Sequence, residues 1–258
     1  RSSIINVKKQ QKRRKTAKIG PKHVFRPWNR LRTGSLMSKT SKKSLRARET
    51  AKRMDEHRND YSSKPLYGLP IGIKDLVLTR GVRTTFGSRI YQNFVPDVDE
   101  LLVERVKQAG AIVIGKTNTP EFGAGSHTFN SVHGATRNPW NPNHGPGGSS
   151  GGAAAAVASG MVPAANSSDG GGSIRIPAAM CGLVGLKPSR GRISMGPNRE
   201  EWGVSVQHVV CHTVRDSAAI LDAAAIPFPG DGVIAPNHGR PYATRRDAGP
   251  GPLRIGVM

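Results

Sequence analysis

Two blocks of glycine and serine, GGSSGG at 147–152 and SDGGGSIRI at 168–176, bracket a run of alanines at 153–158 and the apolar stretch from Val162 to Ala165. Alanine is the strongest helix former. A short apolar run between turn signals suits a buried strand. Glycine–serine runs taken alone have the composition of flexible linkers, but linkers do not alternate with buried strands and helices. The two blocks are therefore read as part of a folded α/β layer, and they are the feature any fold for this chain has to accommodate.

The same alternation continues on both sides. Ile71, Ile73 and the stretch Leu76 to Leu78 predict a first strand, after a turn marked by Pro65, Gly68 and Pro70. Leu101 to Ala109 has apolar residues at helical spacing, closed by Gly110 as a C-terminal cap. Ala111 to Ile114 and Leu183 to Leu186 read as strands, and so does Leu253 to Val257. Thr213 to Ala225 reads as a helix with Thr213 as N-cap and Val214, Ala218, Leu221 and Ala225 on one face. Strands alternating with helices predict an α/β fold, with a mixed, largely parallel central sheet covered by helices. No run of about 18 apolar residues is present to span a membrane. The two cysteines, Cys181 and Cys211, lack the spacing of a zinc site or a disulfide framework. With no signal peptide visible, the expected compartment is reducing, the cytoplasm. No metal or other cofactor is expected.

A net charge of +22 suggests nucleic acid until it is located. Residues 1–64 carry +17 of it, residues 65–258 only +5, and no acidic residue occurs before Glu49. A block such as Lys12-Arg13-Arg14-Lys15 repels itself and stays extended. The organisation expected is a disordered basic leader over 1–45, suited to weak contact with nucleic acid, then one folded domain over 46–258. That domain opens with a polar, weakly amphipathic helix at 46–60.

Three motifs compete for the chemistry. Gly110 to Thr117 (GAIVIGKT) matches the phosphate-binding pattern G-x-x-x-x-G-K-[ST] letter for letter. However, a helix precedes Gly110 and the four middle residues form a strand, where a phosphate loop needs a strand first and then a flexible loop. Gly147 to Gly151 (GGSSG) fits the nucleophile elbow G-x-S-x-G. The strand that elbow requires is ruled out upstream by the three prolines of 138–146 (NPWNPNHGP). His208 and His212 are available to a hydrolase triad, but nothing in the sequence places them there.

The third motif is the pair of glycine–serine blocks taken with Gly72-Ile73-Lys74-Asp75 upstream. It is accompanied by Gly115 to Phe122 (GKTNTPEF), Gly134 to Trp140 (GATRNPW), Pro177 to Gly182 (PAAMCG) and Gly185 to Arg192 (GLKPSRGR). From about Pro65 to about Ala225, this order of blocks resembles the amidase signature family. The resemblance implies an amide-cleaving enzyme with a Ser–cis-Ser–Lys triad. Ser173 is the nucleophile, Ser149 the bridging serine behind a cis Gly148–Ser149 peptide, and Lys74 the base. Ser150 supports the triad through its hydroxyl, and the N–H groups of Gly170, Gly171, Gly172 and Ser173 form the oxyanion hole. Asp169 and Arg175 are read as an ion pair fixing the loop.

The residue types suit that work. A serine hydroxyl needs an adjacent base. A lysine is a base only when burial has lowered its pKa, and a hydroxyl placed between them both donates and accepts. Ser173 is expected within hydrogen-bond reach of Ser149, and Ser149 of Lys74. The family commonly reads Gly-Thr-Asp where this chain has Ser167-Ser168-Asp169. Its members continue past the position of Met258, so the resemblance implies the N-terminal portion of a longer member, and a weak enzyme by itself. Details at 123–126, 205–208 and 213–216 are most similar to bacterial general amidases and cyclic aminohexanoate dimer hydrolases, which implies a small-molecule amide substrate. Two alternatives stand beside this: an A-type subunit of glutamyl-tRNA amidotransferase, and a nucleic-acid-binding protein on an inactive amidase fold. The oligomeric state is left open.

Overall fold

The computed structural model describes residues 42–196, 203–237, 239–245, 251–252, 254 and 256. The basic leader with its expected nucleic-acid contact, and most of the strand expected at 253–257, lie outside those residues. The chain enters through α1 (Lys42–Glu56), which begins four residues before the expected helix and inside the segment assigned to the leader. Lysine is a good helix former, and the helix extends through Lys42 and Lys43. A short α2 (Arg58–Tyr61) follows.

The body is built from β1 (Pro70–Lys74), α3 (Leu101–Gln108), β2 (Ile112–Thr117), β3 (Phe129–Asn130), β4 (Gly134–Ala135), α4 (Gly151–Ala158), β5 (Ala164–Asp169), α5 (Arg175–Cys181), β6 (Val184–Gly185), β7 (Val206–Cys211), α6 (Val214–Ala224) and α7 (Tyr242–Arg245). Five strands form one sheet in the order β2-β1-β5-β7-β6, while β3 and β4 pair as a separate small hairpin. β1 runs parallel to β2 and to β5. β7 runs antiparallel to β5 and to β6. The sheet is thus mixed and covered by helices, as the alternation predicts, and its antiparallel part comes from β7, a strand not expected from the sequence.

Alternate residues of the central strands enter two different apolar clusters. Ile71, Ile73, Ala164, Val209 and Cys211 pack with Leu102, Val103 and Val106 of α3 and Ile220 and Leu221 of α6. Ala165 and Val210 pack on the other face with Ala153 and Val157 of α4 and Ala178 of α5. Residues two apart on a strand share a face, so Lys74 lies on the side of Gly72, opposite Ile73. Both faces being covered explains why β7 and β1 are buried at every position. Each fully buried Ile, Leu or Val contributes roughly 1.5–3 kcal/mol. Helix α6 is capped as predicted, with the Thr213 hydroxyl accepting the Asp216 N–H at 3.1 Å. No helix among the described residues is long and apolar enough to cross a membrane.

The parallel strands β1 and β5 end together. Lys74 closes β1 and Asp169 closes β5, at the edge where open α/β sheets gather their sites. Helix α4 starts close to that edge, and its first turn is packed against Asn118. A Cβ at Gly152 would lie 2.2 Å from the Asn118 nitrogen and 2.5 Å from its oxygen, both backbone atoms that cannot swing aside. Gly152→Ala is therefore expected to cost about 3 kcal/mol or more. A urea-midpoint measurement checks this, and a variant as stable as the parent would remove the close approach from the account.

Candidate active site

The side chain of Lys74, its amine included, is completely buried, an unusual place for lysine. Its Nζ lies 2.7 Å from Ser149 Oγ and 2.9 Å from Ser168 Oγ. The backbone N–H of Lys74 donates to Asn166 Oδ1 at 3.3 Å, and Asn166 Nδ2 donates on to the His208 carbonyl. Burial pushes the Lys74 pKa down from 10.5 to about 7, against the opposing pull of the Asp169 charge. A neutral amine near pH 7 can take a proton from a hydroxyl that touches it, which a surface lysine cannot do.

Ser149 is buried, precedes α4 and follows a cis Gly148–Ser149 peptide bond. The backbone of the 147–151 block is held from outside: the Thr128 hydroxyl donates to the Gly147 carbonyl at 2.8 Å and accepts the Gly151 N–H at 3.1 Å. Ser150, fully buried, joins this block to β5. Its hydroxyl accepts the Ser168 N–H and donates to the Ser168 carbonyl, both at 3.3 Å. A segment held in this way is not the loose tether that a glycine–serine composition alone would suggest.

Asp169 organises the second block. Its carboxylate accepts the N–H of Gly172 at 2.7 Å and of Ile174 at 3.2 Å, and a two-pronged bond from Arg175, with Nε at 2.9 Å and the terminal nitrogen at 3.0 Å. Burial by itself would raise this carboxyl's pKa. The bonds from Arg175, Gly172 and Ile174 outweigh it and hold the group at about 2. Asp169 is therefore an anion at any ordinary pH, which suits a loop fastener and not a proton carrier.

Two differences from the sequence reading follow. First, the Gly172 N–H is engaged by Asp169, so it is not open to an oxyanion. Among the described residues, the N–H groups of Gly170, Gly171 and Ser173 meet no acceptor in the chain. The reason is the reach of the Asp169 carboxylate, which turns back over the loop that follows it. Second, the expected Ser149–Ser173 hydrogen bond is not formed. The half-buried Ser173 hydroxyl bonds to no described residue, while the Lys74–Ser149 contact is made. Catalytic hydrogen bonds are often loose before substrate arrives and tighten in the complex.

Ser168 escaped the sequence reading, although its hydroxyl lies within hydrogen-bond distance of the lysine amine, at 2.9 Å. The one hint was its place between Ser167 and Asp169, at a position where the resembling family also carries a hydroxyl. Gly123 was missed as well: a Cβ there would come 3.7 Å from Ser149 Oγ and 2.6 Å from Leu76 Cδ1. The phosphate-loop lookalike is resolved by Lys116, whose Nζ is tied to the Val77 carbonyl and to the hydroxyls of Thr79 and Thr84. Residues Ile112–Thr117 form strand β2, so no phosphate cradle exists there. His208 is buried against Ser217, with Nε2 at 2.9 Å, and His212 bonds the Val157 carbonyl. Both ring contacts lead away from the glycine–serine blocks.

A family profile described as amidase matches residues 38–258. The chain is 48% identical over 191 residues to the A-type subunit of glutamyl-tRNA(Gln) amidotransferase from Desulforapulum autotrophicum, an alignment covering 73% of this chain and 39% of that protein. In structure it is similar to 6-aminohexanoate cyclic dimer hydrolase complexed with substrate, with a TM-score of 0.75, 42% identity, and coverage of 81% of this chain and 44% of that one. It is also similar to the peptide amidase from Stenotrophomonas maltophilia, with a TM-score of 0.68, 35% identity, and coverage of 77% and 43%. The chain spans about two fifths of the length of each of these proteins. Taken with the profile's reach over residues 38–258, these likenesses place the chain plainly: it belongs to the amidase family.

Proposed function

We propose that the protein hydrolyses a carbon–nitrogen amide bond, with Ser173 as nucleophile, Ser149 as proton relay and Lys74 as base. The observation that carries this reading is the fully buried lysine amine 2.7 Å from the Ser149 hydroxyl, with its pKa brought to about 7. Neutral Lys74 takes the Ser149 proton as Ser149 takes that of Ser173, and Ser173 Oγ bonds to the carbonyl carbon. The carbonyl oxygen becomes an oxyanion facing the open N–H groups of Gly170, Gly171 and Ser173. Collapse breaks the C–N bond, and the proton returns by the same path to the leaving amine. Water then cleaves the acyl-serine ester. Ser150 and the Asp169–Arg175 pair hold the two blocks in place, and the substrate class that suits so enclosed a base is a small-molecule amide.

The test is labelling with a fluorophosphonate, which reports an activated serine without knowledge of the substrate. The label is expected on Ser173, with a rate that rises as pH passes through about 7, where Lys74 loses its proton. A label on Ser149, or a rate flat across that range, would sink the assignment.

A second reading rests on the 48% identity to the amidotransferase chain. In that case the same chemistry releases ammonia from glutamine, and glutaminase activity appears only when partner subunits are added. Hydrolysis of simple amides by the chain alone favours the first reading.

A further inference from the structure

Next to Lys74 in sequence lies a second polar cluster that the proposed reaction does not use. Asp75 is buried, and its carboxylate accepts the Thr85 N–H at 3.2 Å and the Thr85 hydroxyl proton. His133 Nε2 lies 3.2 Å from that hydroxyl oxygen and 3.5 Å from Asp75 Oδ2. Counting protons settles the direction of the histidine contact. The single proton of Thr85 Oγ1 goes to Asp75, and the Gly87 N–H already donates to the same oxygen at 3.1 Å. A hydroxyl has one proton to give, so His133 Nε2 carries a hydrogen and donates it.

His133 stands in the turn between β3 and β4. Its own N–H and that of Val132 are fixed by Asn130 Oδ1, at 2.7 and 2.9 Å. Asn130 Nδ2 reaches across to the Thr119 carbonyl at 2.7 Å. At the other end of the hairpin, Thr128 clamps Gly147 and Gly151 on either side of Ser149. The hairpin therefore touches the Lys74–Asp75 end of β1 through His133 and the Ser149 block through Thr128.

We infer that His133 is a positioning residue for the reaction proposed above, and the inference rests on that reading. By donating to the Thr85 hydroxyl beside Asp75, it fastens the β3–β4 hairpin to the end of β1, and through Thr128 the hairpin keeps Ser149 in register with Lys74. Among the described residues it bonds to Thr85, Asn130 and Asp75 and to none of Lys74, Ser149 and Ser173.

The experiment is saturation kinetics of fluorophosphonate labelling, which separates the first-order inactivation constant from probe affinity. His133→Phe keeps a ring but has no N–H. It is expected to lower the inactivation constant about tenfold, the rate equivalent of one lost hydrogen bond, with probe affinity unchanged. His133→Gln presents an amide N–H and is expected to recover most of the loss. In a Thr85→Val background, which has already lost the acceptor, His133→Phe is expected to add nothing further. A general loss of fold lowers the fraction of molecules labelled and leaves the rate constant of the rest alone. That result, or His133→Gln as slow as His133→Phe, overturns the inference, as does full-rate labelling of Ser173 in His133→Phe, which leaves the catalytic reading standing. Wild-type protein that never labels at Ser173 overturns both.

Discussion

Ser173→Ala is expected to lower amide turnover about 100,000-fold, in the range seen when a member of a hydrolase triad is removed. The Ser173 hydroxyl bonds to no described residue, so its loss leaves no buried partner stranded. The melting temperature is expected to stay close to that of the parent, within the roughly 0.5 kcal/mol typical of changes away from the core. Activity and stability thus separate at this position, which distinguishes a chemical role from a structural one. Ser149→Ala is expected to retain more activity, because the nucleophile and the open N–H groups of Gly170 and Gly171 remain. Turnover of a simple amide, measured beside a thermal melt, checks both. Undiminished turnover in Ser173→Ala would move the nucleophile to Ser149, which sits in the G-x-S-x-G sequence.

Lys74→Met has an effect of opposite sign on stability and activity. An unfolded lysine keeps its proton up to about 10.5, whereas the buried one gives it up near 7. Between those values the unfolded chain binds the extra proton, so wild-type stability climbs with pH, at up to about 1.4 kcal/mol per pH unit. Below pH 7 both states are protonated and the cost of the buried charge is borne in full. Methionine has similar length and no charge, so the variant lacks this climb and is expected to be the more stable protein at pH 6.5. The two hydroxyls of Ser149 and Ser168 lose a partner in exchange, which offsets part of the gain. Turnover is expected to fall at least about a thousandfold, since the nucleophile loses its base. Urea midpoints at pH 6.5 and 9.5 for both proteins give the comparison, other titrating groups cancelling in the difference. Parallel pH dependences would mean that Lys74 is charged in the fold, and it could not then serve as a base.

Much of the layer structure was legible because local signals agreed with the global fold. Helix α6 has its cap, its period and its apolar face in one short stretch, β1 carries Ile71 and Ile73, and β2 opens on the apolar run Ile112 to Ile114. What escaped was decided by tertiary context. Strand β7 carries Gln207 and His208 in a fully buried position. These two polar residues hide it from any apolar-run search, and they are tolerated because Gln207 meets Glu100 at 2.6 Å and His208 meets Ser217. Helix α5 contains Pro177, which argues against helix unless the proline falls in the first turn. It does fall there, where its missing N–H would have had no partner within the helix. At the site, it was the resemblance carried by the two glycine–serine blocks and Gly72-Ile73-Lys74-Asp75 that implied Lys74, Ser149 and Ser173. The Ser168 contact and the capture of the Gly172 N–H depend on where β5 delivers two side chains, and no linear pattern encodes that.

Ser149 comes just before Ser150, the N-cap of α4, so the amine of Lys74 lies beside the start of a helix whose first two N–H groups are already taken, by the Thr128 hydroxyl and the Asn118 carbonyl. A cation there is opposed by its dry surroundings and favoured by the Asp169 charge, and the burial prevails. Position 74 is thereby closed to arginine, which cannot shed its proton at any working pH.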